Sequence, residues 1–223
     1  MVSKKEEKTE VIEVIRSLEP LTNFDNSFKI IVVGDTGVGK TCVIKRTEHN
    51  KFDDFHTVTL GGDFAKLYYM IKQKKVKVQL WDTCGLEQYR SMIKIFFKGA
   101  NASIIVFDIT NEKTYYSVQR WFADVRENTP PSTLVYLVGN KSDLPGRPVP
   151  KEAIDSYIAS TGIKGFFEVS ARTGQGLEEM FNSIMADIFR KDEQEALATL
   201  PDAEKPVKIK ESSGKTGGKK KCC

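Results

Sequence analysis

Three short stretches carry residue types that can do chemistry. "GDTGVGKT", Gly34 to Thr41, satisfies GxxxxGK[ST] directly after an apolar run. That is the pattern of a phosphate cradle: the glycines let successive N–H groups face anionic oxygens, a helix start adds positive potential, and Lys40 supplies a full charge to the β- and γ-phosphates. The Thr41 hydroxyl is placed to serve Mg²⁺. In "WDTCG", Asp82 and Gly85 form a DxxG pair, offering a carboxylate to hold the ion through water and an N–H that can approach a γ-phosphate. "NKSD", Asn140 to Asp143, then selects the base. A carboxylate at Asp143 accepts from guanine N1–H and the 2-amino group together, donors that adenine lacks. The Lys141 stem is expected along the base plane. "SAR", Ser170, Ala171 and Arg172, can turn the Ala171 N–H toward guanine O6.

A second GK[ST] match, "SGKTGG" at 213 to 218, fails the same test, having Ile209 where the first glycine is required and no strand before it. It belongs to the tail.

These motifs need elements to hold them. The short β-branched runs "FKIIVVG", "VKVQLWD", "ASIIVFDIT" and "LVYLVGN" read as buried parallel strands, and the phosphate and base motifs follow their ends. Helix-like segments lie at 87 to 100, 113 to 128, 151 to 161 and 176 to 191. "DFAKLYYMI" and "VKVQLWD" meet at "KQKK", predicting one antiparallel hairpin at the sheet edge. The expected fold is α/β, a mixed, mostly parallel six-stranded sheet with helices on both faces.

With 223 residues, 40% hydrophobic and 29% charged, the chain suits one globular domain with appendages. Residues 28 to 191 are expected to form it. Residues 1 to 27 form an extension with one short amphipathic candidate, "EVIEVIRSL", closed by Pro20, and 192 to 223 are expected to be a disordered tail. The net charge is +4, yet residues 205 to 223 alone hold seven Lys and one Glu, a net +6, leaving the rest at −2. A nucleic-acid binder would display its basic stripe on the folded domain, so a membrane surface is the expected acidic partner. No stretch of 18 apolar residues offers a span, and "MVSKKEEKTE" has no apolar signal segment, so a cytosolic setting is expected. Of the four cysteines, Cys42 and Cys84 read as small buried hydrophobes of a reducing compartment.

In order and spacing, "GDTGVGKTC", "TLGGDF", "WDTCGLEQYR", "FFKGA", "GNKSDL" and "SARTG" resemble the small GTPases of the Ras superfamily, and their finer wording resembles the Rab branch. The resemblance covers 28 to 191 and implies a GTP/GDP-binding switch with a P-loop G domain. It extends the nucleotide set to Gly34, Asp35, Thr36, Gly37, Val38, Gly39, Lys40, Thr41 and Cys42, adds Thr59 as the first switch threonine closing on Mg²⁺ and the γ-phosphate, and makes Phe52 the aromatic packed edge-on to guanine. Phe64, Trp81 and Phe96 match an aromatic triad read by effectors. By the same likeness the partners are an exchange factor, a TBC-type activator, a GDP-dissociation inhibitor and effector proteins.

Leu86 departs from the pattern, since the family carries there a glutamine that orients the attacking water. Leucine has no donor or acceptor. Hydrolysis therefore depends on Lys40, Thr59 and Gly85 and on groups that an activator would bring; a slow, activator-timed GTP hydrolase and a mostly GTP-loaded binding module both remain open. Gly62 is a second departure, in the effector region. The end "KTGGKKKCC" is similar to doubly geranylgeranylated Rab tails, which implies lipid on Cys222 and Cys223 and a place on the cytosolic face of an intracellular membrane.

Overall fold

A computed structural model of the chain describes residues 12–53, 63–83 and 95–199. The chain forms two compact units, Met1–Phe189 and Arg190–Cys223. The strands of the first unit are β1 (Val14–Ser17), β2 (Asn26–Val33), β3 (Asp63–Ile71), β4 (Lys74–Asp82), β5 (Ala102–Asp108), β6 (Leu134–Asn140) and β7 (Gly165–Glu168). The helices are α1 (Lys40–His49), α2 (Glu112–Tyr116), α3 (Val118–Asn128), α4 (Lys151–Thr161) and α5 (Leu177–Thr199).

The sheet runs β1-β3-β4-β2-β5-β6-β7. From β4 to β7 every pairing is parallel, while β3 is antiparallel to both β4 and β1. The mixed, mostly parallel class is as expected; among the described residues the sheet has seven strands where six were expected. The additional strand, β1, comes from the segment expected as a short amphipathic appendage. Its β-branched residues favour a pleated setting, and the outer edge of β3 offers one, with Val14 opposite Ile71 and Ser17 opposite Tyr68. Ile12 is buried and Val14 packs on the same core. The β3–β4 hairpin therefore lies inside the edge, not on it. Its turn places Lys72 and Gln73 at φ 47° and 65°, the left-handed pair that matches strand twist.

Alternate residues of β2 face opposite sides. Ile30 and Val32 join a cluster with Val43, Ile44 and the Met180–Ile184–Ile188 stripe of α5, while Ile31 and Val33 join Trp121, Val125 and Ile154. Helices thus cover both faces, and the strand ends are held rigidly enough to aim loops. The predicted 113–128 helix is two, divided at Ser117, with α2 capped by the Asn111 side chain accepting from the Lys113 N–H. The predicted 87–100 helix falls largely outside the described residues; Ile95 to Phe97 are helical. The final helix continues eight residues beyond the expected 191, because "KDEQEALAT" is rich in strong helix formers. Within the second unit, Lys191 and Glu195 form an i,i+4 pair at 3.5 Å. No helix among the described residues is long and apolar enough to cross a membrane.

Candidate nucleotide-binding site

The site gathers at the C-terminal ends of β2, β4, β5 and β6. β2 delivers the chain into a loop whose glycines are forced by space as well as by φ. Gly34 has φ 143°, and a Cβ there would collide with the Val106 carbonyl oxygen. Gly39 has φ 97°, and a Cβ would collide with Asn140 Nδ2. The backbone can curl against β5 and β6 only because both side chains are absent. Lys40 opens α1 and is buried; its ammonium donates to the carbonyls of Gly34 and Asp35, both at 2.9 Å. The ammonium is thus fixed across the loop. Val38 is wholly buried, and Thr36 and Gly37 are exposed at the loop tip. Cys42 is buried in α1, and burial pushes its thiol pKa up, consistent with a packed neutral side chain. Asp35 is in the loop as expected, but its carboxylate turns away, accepting from Trp121 Nε1 at 2.8 Å.

At the end of β4, the Thr41 hydroxyl donates to Asp82 Oδ2 at 2.6 Å, bringing two of the three expected metal residues into contact. Thr83 pins the strand end by donating to the Val32 carbonyl at 2.6 Å. Thr59, Gly85 and Leu86 lie outside the described residues, as do Cys222 and Cys223.

The residues expected to read the base form one connected unit. Asn140 is buried; its Nδ2 donates to the Val38 carbonyl at 2.8 Å, and its Oδ1 accepts from the Ala171 N–H at 3.0 Å. One side chain therefore ties the phosphate loop to the "SAR" turn. The expected role of the Ala171 N–H shifts accordingly: it is engaged by Asn140, so guanine O6 would have to share it. Asp143 Oδ1 accepts from the Ser170 hydroxyl at 2.6 Å, and that hydroxyl accepts from the Thr173 N–H at 3.0 Å. Arg172 is exposed beside them. Lys141 holds φ 68° and pairs with Asp108 Oδ2 at 2.7 Å.

Asp108 was not among the site residues expected from the sequence. It ends the apolar strand β5, and Thr110 donates to its Oδ1 from both N–H and hydroxyl, at 3.0 and 2.7 Å. Burial raises its pKa, but hydrogen bonds from Lys141 and Thr110 outweigh this, so the net shift is downward. The signal was a charged residue closing an all-buried strand, "ASIIVFD". Arg46 was also missed; its Nε donates to the Ala171 carbonyl at 2.9 Å from α1. Phe52 is half-buried, packed against the core, with the Arg46 guanidinium 6.0 Å from its ring centre.

The three aromatics expected as an effector triad do assemble. Phe64 and Trp81 stack at 5.0 Å between centroids, and Trp81 meets Phe96 at 5.3 Å. Lys29 sits 4.5 Å above the Trp81 ring, and Phe64 and Ile95 are exposed.

The Ras family model matches residues 29–190. Ras-related protein Rab-13 of Mesocricetus auratus is 38% identical over 169 residues, covering 75% of this chain and 83% of its own. Putative ras-related protein Rab-5B of Dictyostelium discoideum is 34% identical over 168 residues, covering 75% and 78%. Ras-related protein RABA2d of Arabidopsis thaliana is 31% identical over 210 residues, covering 90% and 96%. By these matches, and with the Gly34–Thr41 loop, the Thr41–Asp82 contact and the Asn140 linkage where the family pattern expects its motifs, the chain belongs to the Rab family of the Ras superfamily of small GTPases.

Proposed function

We propose that this protein is a Rab-like GTP/GDP switch in membrane trafficking whose intrinsic GTP hydrolysis is impaired because Leu86 occupies the place of the water-orienting glutamine. The observation that carries the nucleotide reading is the Asn140 side chain, which bonds the phosphate loop at Val38 and the base loop at Ala171 at the same time. A ligand long enough to need both loops, phosphates at one end and a purine at the other, matches that linkage.

The donor chemistry of Thr41 and Asp82 fits Mg²⁺: one hydroxyl and one carboxylate, both hard oxygens, suit an ion that takes few protein ligands and completes its shell with water and phosphate. Thr59 would join them in the GTP state. When bound, the ion neutralises charge on the β- and γ-phosphates. Lys40 adds a full positive charge to the same oxygens, and the Gly85 N–H marks the γ-phosphate. Leu86 supplies nothing to hold the attacking water, so turnover falls below the rate of about 10⁻⁴ per second typical of unaided members. A TBC-type activator bringing its own polar groups restores it, an exchange factor reloads GTP, a GDP-dissociation inhibitor extracts the lipidated protein, and effectors read Phe64, Trp81 and Phe96. Two lipids on Cys222 and Cys223, with the adjacent lysines, hold the protein on the cytosolic face of an intracellular membrane.

The test is the nucleotide content of the purified protein followed by single-turnover phosphate release with and without a TBC domain. One guanine nucleotide per chain, with GTP retained for hours until the activator is added, is the expected result. Adenine nucleotide or none would end the switch reading; no acceleration by any TBC domain would instead favour a GTP-loaded effector-binding module.

A further inference from the structure

Arg46 lies half-buried on α1, one and a half turns after Lys40, and its guanidinium reaches three pieces of chain. Nε donates to the Ala171 carbonyl at 2.9 Å and Nη2 to the Arg172 carbonyl. Nη1 donates to the Asn50 backbone carbonyl at 3.0 Å and to Asn50 Oδ1 at 3.3 Å. Asn50 closes the helix in the left-handed region, φ 55°, and its own N–H returns to the Arg46 carbonyl at 2.9 Å. The guanidinium also faces the Phe52 ring. A planar fork with donors in fixed directions can serve all these acceptors together; an ammonium cannot.

Residue 171 is therefore held from both ends. Its N–H is taken by Asn140 and its carbonyl by Arg46. The neighbouring Ser170 hydroxyl orients Asp143 at 2.6 Å. Loss of the Arg46 contacts would release the outward 171–172 carbonyls, leaving the turn to the Asn140 bond on its inner edge and to its own Ser170–Gln175 and Gly174–Ser170 backbone bonds, none of which ties it to α1.

We propose that Arg46 is a positioning residue for base recognition, clamping the 171–172 carbonyls to α1 so that Asp143, Ser170 and Ala171 present one fixed edge to the base; this rests on the guanine-nucleotide reading above. Arg46 acts through the turn, and its own bonds run to the 171–172 carbonyls and Asn50, while the phosphate loop is reached only at second hand through Asn140, so its loss falls on the base far more than on the phosphates.

The experiment compares GDP with purine riboside 5′-diphosphate, which keeps the sugar and phosphates but lacks N1–H, the 2-amino group and O6. Competitive displacement of fluorescent GDP gives both affinities for the wild type and Arg46→Lys, with thermal transitions recorded in excess GDP. The expected result is a loss of about tenfold or more for GDP against less than about twofold for the purine analogue, since only the first relies on base hydrogen bonds. Where the lysine variant does not fold, Arg46→Gln, which keeps one amide donor, is measured in its place. Equal losses for both ligands would show a merely structural role and overturn the proposal, as would an unchanged ratio. A wild-type protein that binds GDP no better than the analogue overturns the nucleotide reading and this inference with it, which separates the two failures.

Discussion

The Ser170 hydroxyl donates to the Asp143 carboxylate at 2.6 Å while accepting from the Thr173 N–H at 3.0 Å. Asp143 is exposed at the loop surface. Its orientation is set by that one hydroxyl, which leaves carboxylate oxygen capacity for two donors on a purine edge.

Asp143→Asn is accordingly expected to move base preference from guanine toward xanthine, because the amide NH₂ can donate to a 2-oxo group but meets the guanine 2-amino group donor against donor, where the carboxylate offered a second acceptor oxygen. The loss of GDP affinity should be about 100-fold or more, the scale set by an unpaired polar group at a reading site. Competition of GDP and XDP for the variant measures it; retention of full GDP affinity would contradict the guanine assignment.

Asp108 gives a pH-dependent prediction. Its folded-state pKa lies below the usual 3.8, so the folded protein resists protonation more than the unfolded chain, and its contribution to stability is present above that value and lost as pH falls through the lower one. Asp108→Asn removes the charge that steers Lys141. GDP affinity should fall by about tenfold, one lost charge-assisted contact, and the acid side of the stability curve below about pH 4 should flatten. Thermal transitions across the acid range with GDP titrations report both effects, and an acid profile identical to wild type would remove Asp108 from this role.

Leu86→Gln restores a donor and an acceptor beside the attacking water and should raise intrinsic hydrolysis by about tenfold or more, roughly 1.4 kcal/mol of barrier. GDP affinity should hardly change. Single-turnover phosphate release from GTP-loaded protein decides it; equal rates would mean that another group, with Gln88 the first suspect, already positions the water.

Deleting Cys222 and Cys223 should shift the protein from the membrane to the soluble fraction in cells while nucleotide binding is kept, because one or no lipid gives only marginal anchoring. Membrane association that survives the deletion would transfer the anchoring role to residues 1 to 27.

Much of the fold was legible because its signals are local. The central parallel strands β2, β5 and β6 are apolar, β-branched runs, and the phosphate and base motifs follow β2 and β6 directly. What escaped was non-local. β1 exists because β3 has a free edge to receive it, a fact that "VIRS" cannot state about itself. The Asp35 carboxylate turns to Trp121 from 86 residues away, and Arg46 finds its carbonyls 125 and 126 residues on. Motif spacing fixes where the backbone of a site must be; it does not fix which distant side chains brace it.

The strand β1 also changes what the outside of the sheet offers to other chains. Without it, the Tyr68–Ile71 half of β3 would present outward N–H and C=O groups with no strand partner, a template for intermolecular strand pairing. With it, that half is covered by a four-residue strand that carries Arg16 and runs out into Glu19 and Pro20, a proline that cannot donate to a further ladder, while farther along β3 the Lys66 N–H donates to the Glu48 carboxylate. The N-terminal segment thus leaves less of the sheet open to strand addition by another chain than β3 by itself would.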